Sequence, residues 1–310
     1  METVEIPLVS IHCLVYNHEP YLRQCLDGFV MQKTSFKFEA IVHDDASTDG
    51  SADIIREYAE KYPRIIKPIY ETENQYSKKD GSLEKIMLSA CRGKYIAFCE
   101  GDDYWTEPDK LQKQVDFLEI NPDYGMCYSR AFAFNEKGDQ WIIGSKISGI
   151  YQLLKNNSIS TLTVCLRRDL VVQYRMTIPS EANQWLMGDY PLWLWVYFNS
   201  KIHFQNESFA AYRVLKESAS HSLNVDRLIS FQESAYAVRA YYIQEYMNYD
   251  SKALRIANNV KFWSIFRTIL ATNDILKATS YFYDHFVELK LKYKIYGFMI
   301  ILFEKVKRII

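Results

Sequence analysis

The first hundred residues alternate short apolar runs with stretches of helical spacing, and this alternation narrows the fold more than any other feature of the chain. Leu8 to Val15 is nearly continuous in apolar residues, as a parallel strand covered on both faces would be. Tyr16, Asn17, His18 and Glu19 break the run. Pro20 then suits a first helical position, and Leu22, Leu26, Phe29 and Val30 continue at helical spacing. Phe38 to His43 reads as a second strand. It ends in a polar stretch, Asp44 to Gly50, that opens a helix reaching Tyr62. Arg64 to Ile69 is a weaker third strand, placed near an edge or a strand end by Pro68. A polar loop over 71–81 and a helix from Ser82 to Ala90 lead to a fourth strand, Lys94 to Cys99. The pattern predicts right-handed βαβ units, hence an α/β fold with a mostly parallel central sheet flanked by helices.

Beyond the fourth strand a helix is expected from Pro108, stopping before Asn121 and Pro122. Tyr124 to Phe134 reads as strand, with short strands at Ile159–Leu166, Lys201–Gln205 and Glu207–Tyr212 and a helix at Pro191–Phe198. From Val225 the chain reads as helical almost to its end. The shift near residue 222 divides it into a catalytic domain, 1–222, and a helical C-terminal extension, 223–310. A chain of 310 residues with 48% hydrophobic side chains can bury a core of that size.

Charge excludes one class of partner. With 37 basic and 38 acidic residues the net charge is -1, so no global field favours nucleic acid. Six cysteines (Cys13, Cys25, Cys91, Cys99, Cys127, Cys165) show no CxxC spacing and lie mostly in apolar runs, the pattern of reduced, buried thiols in a cytoplasmic protein. The N-terminus lacks the basic start and apolar core of a secretory signal, and no apolar stretch approaches the ~20 residues that span a bilayer.

Four strand-end clusters carry the chemistry: Tyr16-Asn17, Asp44-Asp45, Asp102-Asp103 and Gly188-Asp189. Adjacent carboxylates after a strand and a glycine make a hard-oxygen site suited to Mg²⁺ or Mn²⁺. In open α/β sheets ligands sit outside the carboxyl ends of the strands, where these clusters fall. Taken singly, each Asp could equally be a turn or capping residue.

Tyr16-Asn17-His18-Glu19 after the first strand, Asp44-Asp45-Ala46-Ser47-Thr48-Asp49-Gly50 after the second, and Glu100-Gly101-Asp102-Asp103-Tyr104-Trp105 after the fourth stand in the order and spacing of a known family. Over roughly residues 6–215 the chain resembles the inverting family-2 glycosyltransferases. The resemblance implies a GT-A type fold, a nucleotide-diphosphate sugar donor (most often UDP-linked), a divalent metal and an acceptor hydroxyl. It sets Tyr16 against the uracil, Asp45 at the base edge, Asp102 at the ribose and Asp103 on the metal. Asn17 and Asp44 belong to the same donor clusters. The polar loop Asn74 to Lys79, through Lys78, offers cations for the diphosphate, with a solvated surface loop as its alternative reading. Glu100 stands where the family more often has Asp, which leaves open which carboxylate touches the metal. Asp189 is implied as the base that deprotonates the acceptor, with a helix N-cap as its alternative role. His221 is the candidate third metal ligand, against an ordinary exposed histidine. Trp105 and Trp185 are candidate acceptor contacts, whereas Trp193 and Trp195 read as core.

The segment 290–310 is a short apolar stretch flanked by cations. It could lie in the interface of an anionic membrane, or pack on the catalytic domain or a second subunit as in a homodimer. The resulting expectation is a metal-dependent inverting transferase that moves a sugar to a glycan or lipid-linked acceptor in surface-polysaccharide assembly (capsule, O-antigen), in the cytoplasm or on the inner face of the plasma membrane. Two other classes fit parts of the pattern. A nucleotidyltransferase would want a glycine-rich basic loop where Tyr16 to Glu19 stand. A non-catalytic nucleotide-sugar or glycan binding subunit would have no need of the full set of carboxylates.

Overall fold

In the computed structural model, residues 6–216, 224–272, 274–285 and 291–306 are described. The chain forms two compact units: Met1–Gln184 with Asp189–Val214, and Trp185–Gly188 with Leu215–Ile310.

The first unit opens with β1 (Val9–Val15), α1 (Glu19–Val30), β2 (Phe38–Asp44), α2 (Ser51–Lys61), β3 (Ile66–Tyr70), α3 (Ser82–Ala90) and β4 (Tyr95–Phe98). All pairings among these strands are parallel, in the spatial order β3-β2-β1-β4. β2 and β3 therefore lie on one side of β1 and β4 on the other. The carboxyl end of β1 is a topological switch point, where the connecting segments diverge and leave room for a ligand. Val9, Ile11, Cys13, Val15, Ala40 and Val42 are buried against Leu22, Leu26 and Phe29 of α1 and Ile54 and Ile55 of α2. Ile41 and Ile96 face Leu83 and Met87 of α3 on the opposite side. Helices on both faces explain why the strands read as continuous apolar runs.

At the other end of the strands a buried carboxylate locks β1, β2 and the turn before β4. Glu39 accepts from the Ser10 hydroxyl at 2.8 Å, from the Arg92 guanidinium at 2.6 Å and from the Arg92 amide at 3.2 Å. Gly93 donates to Ser10 Oγ at 2.8 Å, and a Cβ on Gly93 would stand 2.5 Å from Ser10 N, so the close approach of this turn to β1 requires glycine.

Past β4 the sheet is mixed rather than parallel. β5 (Tyr104–Trp105), α4 (Lys110–Ile120), β6 (Tyr124–Asn135), β7 (Gln140–Ile143), α5 (Ile150–Lys155), β8 (Cys165–Arg167), α6 (Arg168–Thr177), α7 (Asp189–Asn199) and β9 (Lys201–Val214) complete the unit. β8 runs antiparallel to both β4 and β6, β7 pairs antiparallel with β6, β6 and β9 are parallel, and β5 closes the edge antiparallel to β9. Two sequence expectations change here. The strand expected over 159–166 is a 3-10 turn, Thr161–Thr163, followed by a three-residue strand. The Thr163 hydroxyl bonds back to Ser160 O at 2.7 Å, and such local side-chain bonds draw the backbone out of the extended form. The two short strands expected over 201–212 are one, β9, whose polar middle falls beside register shifts near Ser129 and Arg130 of β6.

The second unit contains α8 (Val225–Met247), α9 (Ser251–Ala271), α10 (Ile275–Asp284) and α11 (Leu291–Val306). Asn224, Asp250 and Asp274 cap the first three of these helices by accepting from backbone amides three residues on. Phe262, Phe266, Ile269, Phe282 and Ile301 form its core. Gly297 lets α11 approach: a Cβ there would lie 2.1 Å from the Phe282 ring. Among the described residues, no helix is long and apolar enough to cross a membrane.

One buried group makes stability depend on pH. Lys110 is fully buried, its Nζ donating to Gln114 Oε1 at 2.7 Å and lying 4.2 Å from the centre of the Trp105 ring. Burial lowers its pKa from 10.5 to about 8. Between those values the folded chain binds fewer protons than the unfolded chain, so stability rises with pH across that window and is flat below it. Lys110→Met should remove this rise, worth about 3 kcal/mol at most. Urea denaturation of both proteins at pH 7.5 and pH 10 checks it; an unchanged slope in the variant overturns it.

Candidate functional site

The ends of β2, β1 and β4 stand side by side, and backbone bonds continue the ladder just past them. Asp45 N donates to Val15 O at 2.9 Å and Gly101 N to Leu14 O at 3.0 Å, which brings the polar cluster after each strand to one edge. The loops after β1 and β2 are clamped together. Asn17 takes a left-handed conformation with φ 56°, its Oδ1 accepts from Thr48 N at 2.8 Å, and its own amide donates to Ser47 Oγ at 3.0 Å. The His18 amide donates to Ser51 Oγ and the Glu19 amide to Asp49 Oδ2. Asn17, expected to touch the donor, is thus seen as a loop clamp. Tyr16 beside it is 48% exposed, its ring open for stacking.

Asp45 is 4% exposed and holds down the polar loop that follows β3. Its two carboxylate oxygens accept from Gln75 N at 2.6 Å and Tyr76 N at 3.0 Å, and Asn74 Nδ2 donates to its carbonyl. Each oxygen keeps a second lone pair for a ligand. Asp44 is buried, with Oδ1 lacking a partner among the described residues. Lys78 sits on the same loop, but its ammonium is paired with Gln75 Oε1 at 3.0 Å and Glu73 at 3.3 Å.

Glu100, Asp102 and Asp103 converge. One carboxylate oxygen from each lies within 4.8 Å of the others. The turn is fixed by Asp103 N donating to Glu100 O at 3.1 Å, and Gly101 passes where a Cβ would meet His18 Nδ1 at 2.7 Å. Asp103 is 3% exposed; burial and the neighbouring Asp102 push its pKa well above the usual carboxylate range. Glu100 opens to water on one side, yet the protein around its carboxyl, with the charges of Asp102 and Asp189, pushes it up to about 8. Carboxyl groups that disfavour their own charge in this way fit a hard cation, which would relieve the repulsion.

Arg213, near the end of β9, supports this turn. Its amide donates to Asp103 Oδ1 at 2.7 Å, its Nε to Asp102 O at 3.0 Å and one terminal nitrogen to Gln24 at 2.9 Å. The guanidinium lies 4.5 Å from the centre of the Tyr21 ring and 4.7 Å from that of Phe134. Nothing in the linear order reveals which acid the arginine reaches across 110 residues.

Asp189 begins α7. Its Oδ1 accepts from Tyr190 N at 2.7 Å and its Oδ2 from the Thr161 hydroxyl at 3.0 Å. Burial raises its pKa, against these bonds. Its charge acts on Glu100, so the two belong to one electrostatic site. Asp189 is the first residue of α7 and its carboxylate accepts from the next amide, not from one two or three residues on, so the N-cap expected as its alternative role is not formed.

Trp105 requires a correction. Expected at the acceptor, it is 1% exposed and packs edge-on to Phe29 with ring centres 5.1 Å apart. Its indole N–H finds an internal partner, Leu162 O at 2.8 Å, which allows the whole ring to be buried. Trp185 is half-buried and lies edge-on to Tyr241 at 5.6 Å within the second unit. His221 lies outside the described residues.

A parallel half-sheet with an acid triad at its switch point defines a class: an α/β fold of the GT-A type, with helices on both faces of a mixed sheet. The chain belongs to glycosyl transferase family 2, whose model matches residues 10–174. TuaG of Bacillus subtilis, named for teichuronic acid biosynthesis as a glycosyltransferase, is 30% identical over 224 residues, covering 69% of this chain and 82% of that protein. Rv1520 of Mycobacterium tuberculosis, uncharacterized by its own name, is 41% identical over 165 residues, or 52% of this chain. The chain spans about half (47%) of the length of that mycobacterial relative. Among solved structures, S. aureus TarS (residues 1–349) in complex with UDP-GlcNAc superposes with a TM-score of 0.61 at 18% identity, covering 82% of this chain and 72% of that one. The mannosyltransferase PcManGT from Pyrobaculum calidifontis, in complex with GDP-Man and Mn²⁺, gives 0.54 at 18% identity over 99% and 88%.

If the acid triad holds a cation, Asp103→Asn should abolish Mn²⁺ binding. Arg213→Ala, which loosens the turn without touching a carboxylate, should weaken it about tenfold. Electron paramagnetic resonance of free Mn²⁺ during titration distinguishes these. Equal affinity in all three proteins removes the triad as a metal site.

Proposed function

We propose that this chain is a metal-dependent, inverting glycosyltransferase that moves a sugar from a nucleotide-diphosphate donor, UDP-linked by preference, to a hydroxyl of a glycan or lipid-linked acceptor during surface-polysaccharide assembly. One observation carries this reading: three carboxylates gathered within 4.8 Å at a switch point. The names of TuaG, TarS and PcManGT support it, since those proteins are a transferase of polysaccharide synthesis and structures holding UDP-GlcNAc and GDP-Man.

In this reading the Tyr16 ring stacks on the base, Asp45 accepts from the base edge with its remaining lone pairs, and Asp102 addresses the ribose. Glu100 and Asp103 would hold Mn²⁺ or Mg²⁺. The bound cation would neutralise the charge that grows on the departing diphosphate. Asp189 accepts the acceptor's hydroxyl proton as that oxygen attacks the anomeric carbon from the face opposite the leaving group. A carboxylate whose pKa is raised by burial is a stronger base for this task. Asp189→Asn should slow transfer about 10²- to 10⁴-fold and leave UDP binding intact. Release of UDP from donor, Mn²⁺ and candidate acceptors measures the first, and calorimetry the second. Wild-type turnover in the variant removes Asp189 as the base.

The C-terminal helix suits work at the cytoplasmic face of a membrane. On α11, Ile295, Met299 and Leu302 are exposed at helical spacing, with Tyr296 and Phe298 beside them. Lysines and an arginine flank the stripe in the sequence, and such cations add ~1 kcal/mol each at an anionic surface. Removing 290–310 altogether would uncover Phe282, so point changes are the cleaner probe. The triple variant Ile295→Ser, Met299→Ser, Leu302→Ser should lose sedimentation with phosphatidylglycerol vesicles while its melting temperature holds. Equal sedimentation of both proteins rejects the contact.

A further inference from the structure

We propose that Thr161 is a positioning residue for the transfer reaction: its hydroxyl holds the Asp189 carboxylate in the orientation from which it takes the acceptor's proton. The inference rests on Asp189 acting as base and adds a residue that stands 28 positions away in the sequence.

Two of the carboxylate's bonds come from the chain. Tyr190 N reaches Oδ1, a bond between neighbouring residues that leaves the carboxylate free to turn with the first residues of α7. The Thr161 hydroxyl reaches Oδ2 from a different element and so fixes the plane of the group. A base placed in this way spends no ordering entropy at the moment of attack.

The bond is useful only if Thr161 is itself held, and the turn that carries it is tied at every carbonyl. Thr161 O accepts from Val164 N at 3.0 Å, Leu162 O from the Trp105 indole at 2.8 Å, Thr163 O from Gln114 Nε2 at 2.8 Å, and Val164 O from Phe98 N at 3.2 Å. Gln114 is in turn held by the buried ammonium of Lys110. This gives a purpose to three buried polar side chains, Trp105, Lys110 and Gln114, that no contact with donor or metal explains. A rigid element supported by packed partners is what accurate placement of a reacting group requires.

The test uses the full chain and three variants at Thr161, assayed by UDP release with donor, Mn²⁺ and acceptor. Thr161→Val keeps the shape and removes the hydroxyl, and Thr161→Ser keeps the hydroxyl. We expect Thr161→Val to lower kcat about ten- to a hundredfold with KM for the donor unchanged, and Thr161→Ser to restore most of the loss. Thr161→Ala should match Thr161→Val. A purely structural role predicts a fall in melting temperature and a changed donor KM in Thr161→Val, or no rescue by Ser; either result overturns the proposal, as does wild-type kcat in Thr161→Val. Full activity in Asp189→Asn would instead sink the assignment of the base, so the two failures are told apart.

Discussion

Like charges crowded into a poorly solvated corner are what the rest of this fold must hold in place. Glu100, Asp102 and Asp103 repel one another, and burial adds to the cost of keeping Asp103 ionised. They stay together because backbone amides and carbonyls fix the turn: Asp103 N on Glu100 O, Gly101 N on Leu14 O, and Arg213 reaching in from β9. The strain is local and the support is distributed, as expected where a site is built to receive a compensating charge. β1 lies between the two strands whose ends supply acids, so the parallel half of the sheet sets the spacing on which this arrangement depends.

The support reaches further than the turn. Trp105 follows Asp103 by two residues and also bonds the turn carrying Thr161, which touches Asp189. One short segment thereby links the acid cluster to the opposite acid. Arg213 plays a similar part from the other side, its guanidinium seated among Tyr21, Tyr104 and Phe134. Cation–aromatic contacts of this kind fix a planar group without using up its hydrogen-bond donors.

Much of this was legible in the sequence, and the parts that were not have specific causes. The early βαβ units show in the continuous apolar runs because both faces of β1, β2 and β4 are covered. Two of the carboxylate clusters show because they follow β2 and β4, whereas Gly188-Asp189, also expected at a strand end, follows the 3-10 turn Ser180–Gln184. Trp105 reads as a sugar contact because it stands beside two acids, while the carbonyl that accepts from its buried N–H comes from residue 162, out of sight in the linear order. The Thr-rich run before β8 reads as extended because β-branched residues favour strands, and only the hydroxyl bond to Ser160 decides otherwise. Asn17 and Lys78 have the right chemistry for a ligand, yet Asn17 meets Thr48 in the neighbouring loop and Lys78 meets Gln75 in its own. Lys110 would be assigned to solvent by composition alone; its burial follows from Gln114 one helical turn on and the face of Trp105.

The acid triad and Asp45 come from strand ends that all lie before residue 106, whereas Asp189 arrives after a long stretch of short, irregular elements. The family model spans the triad and ends at residue 174, short of that acid. Two halves encoded this far apart can change at different rates. Exchange of the segment between β7 and α7 would give a lineage a means of altering the surroundings of Asp189 while retaining the inherited strand-end acids.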